Sequence, residues 1–134
     1  EMIDSTENGL KNPKLAGIFN FAHAETIIPL VSFLEIGTSN VSSNKPEEIL
    51  KNWNASEVSP MGANIQWLIY SNGQDMLVKM LQNEKEVSFP IKTSTYPYYK
   101  WEEIKLYYQT KVEKIGFSKD SNLEKNIEIL KTRF

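Results

Sequence analysis

Apolar side chains recur along this chain at two different periods, and the places where the period changes mark its elements. Residues 14–21 form a short run rich in Ile and Phe that reads as a strand. Residues 26–36 then carry Ile27, Leu30, Val31 and Leu34 on one helical face, with Pro29 tolerable only near the first turn and Gly37 as the stop. A polar loop follows over residues 38–45. Pro46 suits the first position of a short helix reaching Trp53, a packing anchor, and Glu47 and Glu48 complement the helix's positive end. Residues 63–71 and 74–82 are β-rich runs joined through Asn72-Gly73, a dipeptide that readily takes the positive φ angles of a two-residue turn, so an antiparallel hairpin is predicted. Ile65, Trp67 and Ile69 share one face of it and Leu68 and Tyr70 the other; apolar character on both predicts a covered sheet. Residues 88–97 are rich in turn formers. Beyond them Trp101, Ile104, Tyr108, Val112 and Ile115 recur at helical spacing and predict a core-facing helix. Ser121 and Glu124 have capping-box spacing before Leu123, Ile127 and Leu130, which predicts a final amphipathic helix. At the other end, Met2-Ile3 and residues 4–9 read as the last turns of a helix that starts upstream, with Asn8-Gly9 as its stop and Asn12-Pro13 as a turn.

Composition changes this picture mainly by exclusion. With 134 residues, 40% hydrophobic and 24% charged, the chain is ordinary for one soluble domain with a real core. A formal charge of -2 and the lack of a lysine run give no general attraction to nucleic acid. No apolar run approaches the roughly 20 residues that cross a bilayer. The absence of cysteine rules out disulfides and thiolate metal sites, and a single histidine rules out a histidine metal cluster. Neither of the glycine-rich nucleotide-binding patterns is present, and no internal repeat is evident.

The chemistry that remains is concentrated where the first strand runs into the first long helix. His23, the only histidine, lies two residues before Glu25 at that junction. The first helical N–H groups have no intrahelical partner and the helix dipole favours negative charge there, so the junction suits an anion. An imidazole beside it can bind phosphate. A carboxylic acid two residues on, kept protonated by burial and nearby phosphate charge, can give its proton to a leaving oxygen. The plainer alternative is a histidine that caps the helix. Asn83-Glu84-Lys85 at a strand end is open to two readings as well, a ligand contact or a solvated turn. The late aromatic stripe reads as packing before it reads as a sugar or base platform.

The segment Phe21-Ala22-His23-Ala24-Glu25-Thr26-Ile27-Ile28-Pro29-Leu30 resembles the His-Ala-Glu-Thr motif of the multiple inositol polyphosphate phosphatases, the phytase-like branch of the histidine acid phosphatases. Further similarities follow in order. Trp53-Asn54 through Val58-Ser59-Pro60-Met61-Gly62-Ala63-Asn64-Ile65 resembles the stretch leading into that family's late hairpin, and Val78 through Asn83-Glu84-Lys85 the segment ending it. Tyr98-Tyr99-Lys100-Trp101-Glu102-Glu103-Ile104 is similar to the aromatic and acidic start of a late helix. The resemblance spans roughly residues 16–115 and corresponds to the C-terminal part of the family's domain. It implies an α/β fold, part of a parallel-rich histidine-phosphatase-type sheet covered by helices on both faces, with a late antiparallel hairpin. It implies that His23 contacts the transferring phosphoryl group, that Glu25 protonates the leaving alcohol, and that Thr26 is a weaker substrate contact. The implied chemistry uses no metal or other cofactor, and the implied substrate is an inositol polyphosphate or another phosphomonoester.

One departure governs the functional expectation. That family attacks phosphorus with a second histidine, in an Arg-His-Gly-x-x-Arg motif near the N-terminal end of the domain. Here His23 is the only histidine and Arg133 the only arginine, so this chain lacks both nucleophile and clamp. Residues 1–134 are therefore expected to be the C-terminal part of a single domain, inactive alone, whose partner is the missing N-terminal part of the same domain. The alternatives are a noncatalytic phosphate-binding or interaction protein of the same ancestry and a structural module. Location follows the resemblance: the secretory pathway, in the endoplasmic reticulum lumen or outside the cell. Two glycosylation sequons, Asn40-Val41-Ser42 and Asn54-Ala55-Ser56, suit that location, although about two such triplets arise by chance at this composition.

Overall fold

The computed structural model describes residues 2–12, 14–39 and 41–116, together with 127, 128 and 131. The final helix expected from Ser121 onward lies largely outside the described residues, as do Pro13 and Asn40. In order along the chain come α1 (Met2–Leu10), α2 (Ala24–Leu34), α3 (Pro46–Asn52), α4 (Ala55–Val58), β1 (Ile65–Ser71), β2 (Met76–Gln82), β3 (Lys85–Val87), β4 (Tyr99–Lys100) and α5 (Trp101–Ile115).

The hairpin is present, but its turn is not the expected one. β1 and β2 pair antiparallel from Ile65 opposite Gln82 to Ser71 opposite Met76, leaving a four-residue loop. Within it the Asn72 side chain accepts from the amides of Gln74 and Asp75 at 2.9 and 2.7 Å, and Gly73 alone has positive φ (91°). The Asn72 carboxamide thus replaces the expected two-residue turn with a wider one built on its own side chain. The two-residue turn with both φ angles positive occurs one hairpin later, at Asn83 (48°) and Glu84 (66°), where Gln82 pairs with Lys85 and β2 passes into β3.

β2 is the centre of the sheet. β1 runs along one edge, while β3 and β4 share the other, opposite residues 80–82 and 77–78 respectively. Every described pairing is antiparallel, so the fold is a mixture of helices and antiparallel sheet, and the parallel strands implied by the resemblance are not among the described residues.

The core lies between one face of this sheet and two helices. Val78 and Met80 of β2 meet Val31 and Leu34 of α2 and Trp101, Ile104 and Tyr108 of α5, with Phe89, Ile36 and Tyr99 filling the margins. Aromatic rings interlock there: Trp67 meets Phe89 edge-on at 5.5 Å and Trp101 at 6.2 Å. The other face differs from the covered surface expected. Leu68 and Tyr70 remain partly exposed, and Tyr98, edge-on to Tyr70 at 5.5 Å, shields only part of that face.

α5 also closes the end of α2. A helix terminus leaves carbonyl groups without intrahelical donors; here Tyr108 Oη donates to the Leu34 carbonyl at 3.0 Å and Lys111 Nζ to the Phe33 carbonyl at 2.6 Å. Lys111 thereby places a cation at the negative end of the dipole. The helix stops at Glu35, in the left-handed conformation (φ 58°, ψ 41°), two residues before the glycine expected to end it. α1 runs through Gly9 to Leu10, past its expected stop, and is tied to α5 by Lys105 donating to Glu7 at 2.5 Å. Asn12 shapes the expected turn, accepting from the Lys14 amide at 3.1 Å.

Candidate functional site

His23 is the residue just before α2. Its backbone is extended and its carbonyl accepts from the Thr26 and Ile27 amides at 2.9 and 3.2 Å, which starts the helix. Its side chain makes no capping hydrogen bond, so the capping reading does not describe it. Glu25 follows in the first turn, where the dipole favours a carboxylate or an anionic ligand. Pro29 sits one turn further on, deeper in the helix than expected, and its missing N–H leaves the Glu25 carbonyl without the usual donor. His23, Glu25 and Thr26 are all exposed, and none has a side-chain hydrogen bond or ion pair among the described residues.

Exposure is graded along the helix. Residues 24–26 are exposed, Ile27, Ile28 and Leu30 are half-buried, and Val31 and Leu34 are buried against the sheet. The C-terminal half of α2 is therefore fixed by packing and by the α5 side chains, and the first turn projects beyond the core carrying the three candidate residues.

The segment leading into that turn corrects the sequence reading. Residues 14–21 pair with no strand among the described residues. Leu15 and Ile18 fold back onto α1, so close to Gly9 that a Cβ there would lie 3.0 Å from both side chains. Phe19 and Phe21 are 82% and 94% exposed. A strand with apolar side chains on alternate residues gains by burial only when neighbouring strands satisfy its backbone and cover its faces; no such neighbour is among the described residues.

Elsewhere, charge is used for fastening. Burial pushes the Glu35 carboxyl up, but hydrogen bonds from Lys111 and Tyr107, both at 2.6 Å, and the Lys111 charge outweigh it and hold it below the ordinary value. The same bond to Glu35, helped by burial, raises the Tyr107 phenol to about 12. Burial, followed by the Tyr107 and Glu35 charges, raises the Tyr108 phenol. A cleft of about 540 Å3 opens beside this clamp, lined by Glu35, Gly37, Glu86, Ser88, Phe89 and Tyr96. His23, Glu25 and Thr26 do not line it, and its two carboxylates suit no phosphate. Among the described residues no cluster of three or more His, Asp or Glu could hold a metal ion, and no helix is long and apolar enough to cross a membrane.

Asn83 proves to be a latch. Its side chain accepts from the Asn64 amide at 3.1 Å and donates to the carbonyls of Glu57 and Val58 at 3.2 and 3.3 Å, while Glu84 accepts from Asn64 and Gln66 at 3.1 and 3.0 Å. The turn pins α4 to the sheet through Asn83, while Glu84 and Lys85 stand exposed, as in a solvated turn. The available signal was Asn83 itself, a residue type that tolerates the left-handed conformation a two-residue turn requires. Comparison of the chain with protein-family models and with curated proteins gives no match.

Proposed function

We propose that this chain supplies the proton-donor side of a phosphomonoesterase acting on inositol polyphosphates through a phosphohistidine intermediate, the activity that its resemblance to the multiple inositol polyphosphate phosphatases implies. The observation that supports this reading is the first turn of α2: an imidazole and a carboxylate held two residues apart by a packed helix, exposed, without a side-chain partner among the described residues, and preceded by an apolar segment whose Phe19 and Phe21 are exposed. In this reading the rest of the domain's sheet flanks residues 14–21, and the attacking histidine and its arginines come from that part of the protein.

Covalent phosphoryl transfer follows from those roles. The histidine outside this sequence attacks phosphorus, and the bond from phosphorus to the inositol oxygen breaks as Glu25 delivers a proton to that oxygen. Glu25, now a carboxylate, takes a proton from water as the water oxygen bonds to phosphorus; the phosphorus–nitrogen bond breaks, and the histidine is freed as inorganic phosphate departs. His23 stabilises charge on the equatorial oxygens, assisted by Thr26 and the free amides at the start of α2.

The full-length protein, assayed for phosphate release from inositol hexakisphosphate, tests the proposal. Glu25→Gln is expected to lower the rate by about 10²- to 10⁴-fold, the usual contribution of a positioned general acid. The thermal midpoint of this chain is expected to fall only slightly, because Glu25 has no side-chain partner among the described residues and loses only its interaction with the helix dipole. Unaltered phosphate release would remove Glu25 from the mechanism. A noncatalytic phosphate-binding relative is the second reading, favoured by the single histidine and single arginine of the chain; it predicts that the full-length protein binds inositol hexakisphosphate and releases no phosphate.

A further inference from the structure

We propose that Asn54 is an N-glycan acceptor. The inference rests on the secretory placement that accompanies the phosphatase reading, and it concerns a different face of the chain. Asn54-Ala55-Ser56 satisfies the acceptor triplet, in which a hydroxyl two residues after asparagine is required and proline between them is forbidden. The fold presents that triplet in full. Residues 54–57 are all exposed at the junction of α3 and α4, while the adjoining Val58 is half-buried and its carbonyl is held by Asn83 and by Gln82 at 3.1 Å.

The atoms of Asn54 are divided in a way that leaves one position open. Oδ1 does the structural work, accepting from the Ser56 amide at 3.1 Å and from the Ser56 hydroxyl at 2.7 Å. Nδ2 donates to Glu57 Oε1 at 3.2 Å. A carboxamide nitrogen has two hydrogens, so one remains for substitution after that contact. In the transfer, Nδ2 forms a bond to the anomeric carbon of an oligosaccharide carried on a polyprenyl pyrophosphate. The bond from that carbon to the pyrophosphate oxygen breaks, the lipid pyrophosphate departs, and one Nδ2 proton passes to the transferase. Both the helix-starting bonds to Oδ1 and the contact with Glu57 survive the change, so the folded protein accommodates the sugar without losing its cap.

The same geometry supplies a variant that separates modification from folding. Ala55 is the first residue of α4, where proline is tolerated because that N–H has no helical acceptor. Asn54 has φ -127° and ψ 107°, the extended conformation that a following proline favours. Ala55→Pro should therefore keep the fold and abolish the acceptor.

The test directs the full chain into the endoplasmic reticulum of a eukaryotic host with a cleavable signal segment, then maps glycopeptides by mass spectrometry before and after enzymatic removal of N-glycans. The expected result is a glycan on the peptide that follows Lys51, assigned to Asn54, lost completely in Ala55→Pro and Ser56→Ala and retained in Ser56→Thr. An unmodified Asn54, a glycan found at Asn40 alone, or a glycan that persists in Ala55→Pro overturns the inference. Those outcomes leave the phosphatase reading to its own assay, because none of these variants touches His23 or Glu25.

Discussion

Phe89 and Phe21 are the same side chain in two regions of one molecule, one 3% exposed and the other 94%. Around Phe89 the sheet, α5 and the end of α2 meet, so each ring finds apolar neighbours. Phe21 belongs to a segment just as apolar, yet it has no paired strand among the described residues. What separates the two regions is the supply of neighbours. An apolar strand is stable only as part of a sheet, because its amide and carbonyl groups need partners as much as its side chains need cover. α2 spans the contrast, buried at Leu34 and exposed at Glu25, which makes it the element that carries packing order from the core to the candidate residues.

The largest test removes the centre of the packed region. Trp101→Ala should cost about 3–5 kcal/mol, a large share of the roughly 5–15 kcal/mol that ordinarily holds a domain folded. Chemical denaturation of the chain would check it, and a loss under 1 kcal/mol would contradict the assignment of Trp101 to the core.

A smaller effect is expected at the clamp that joins α5 to α2. Lys111→Met removes the bonds to Phe33 and Glu35 and should cost about 1 kcal/mol near neutral pH, the value of charge-assisted bonds discounted for the solvent that still reaches the pair. Its pH dependence has a defined sign. The Glu35 pKa is lower in the folded chain than in the unfolded one, so its contribution is present above the ordinary carboxylate range and lost as pH falls through the lowered folded value. Wild type and Lys111→Met should therefore differ most near neutrality and converge on acidification. A gap that widens in acid would show that the clamp does not depend on the Glu35 charge.

The smallest effect sharpens the contrast most. In this chain Phe21→Ser should change stability by no more than about 0.5 kcal/mol, as for an ordinary surface position. In the complete protein that the phosphatase reading requires, the same substitution should cost about 3 kcal/mol or more, because the ring would then be covered by neighbouring strands. Equal small effects in both would mean that residues 14–21 never join a sheet.

Much of this fold was legible in the pattern of residues. The helical spacing of Trp101, Ile104 and Tyr108 located α5, Pro46 marked the start of α3, and alternation on either side of Asn72-Gly73 located the hairpin. The errors fell where two local preferences competed. Asn72 closed its loop with its own carboxamide instead of forming a tight two-residue turn, which is found separately at Asn83-Glu84, and α2 stopped at Glu35, in the left-handed conformation, before reaching Gly37. Lys111 and Tyr107, 76 and 72 residues away from Glu35, hold it there. A window along the chain cannot see such partners.

The sequence by itself determined which segments can be helix or strand and where a histidine and a glutamate share one junction, because periodicity, caps and spacing act within a few residues of each other. Only the tertiary structure decided that the last turn of α2 is locked beneath α5 while its first turn stands in solvent, that Asn83 is a latch, and that Phe19 and Phe21 before His23 are exposed. Burial and hydrogen-bond satisfaction depend on which distant surfaces meet.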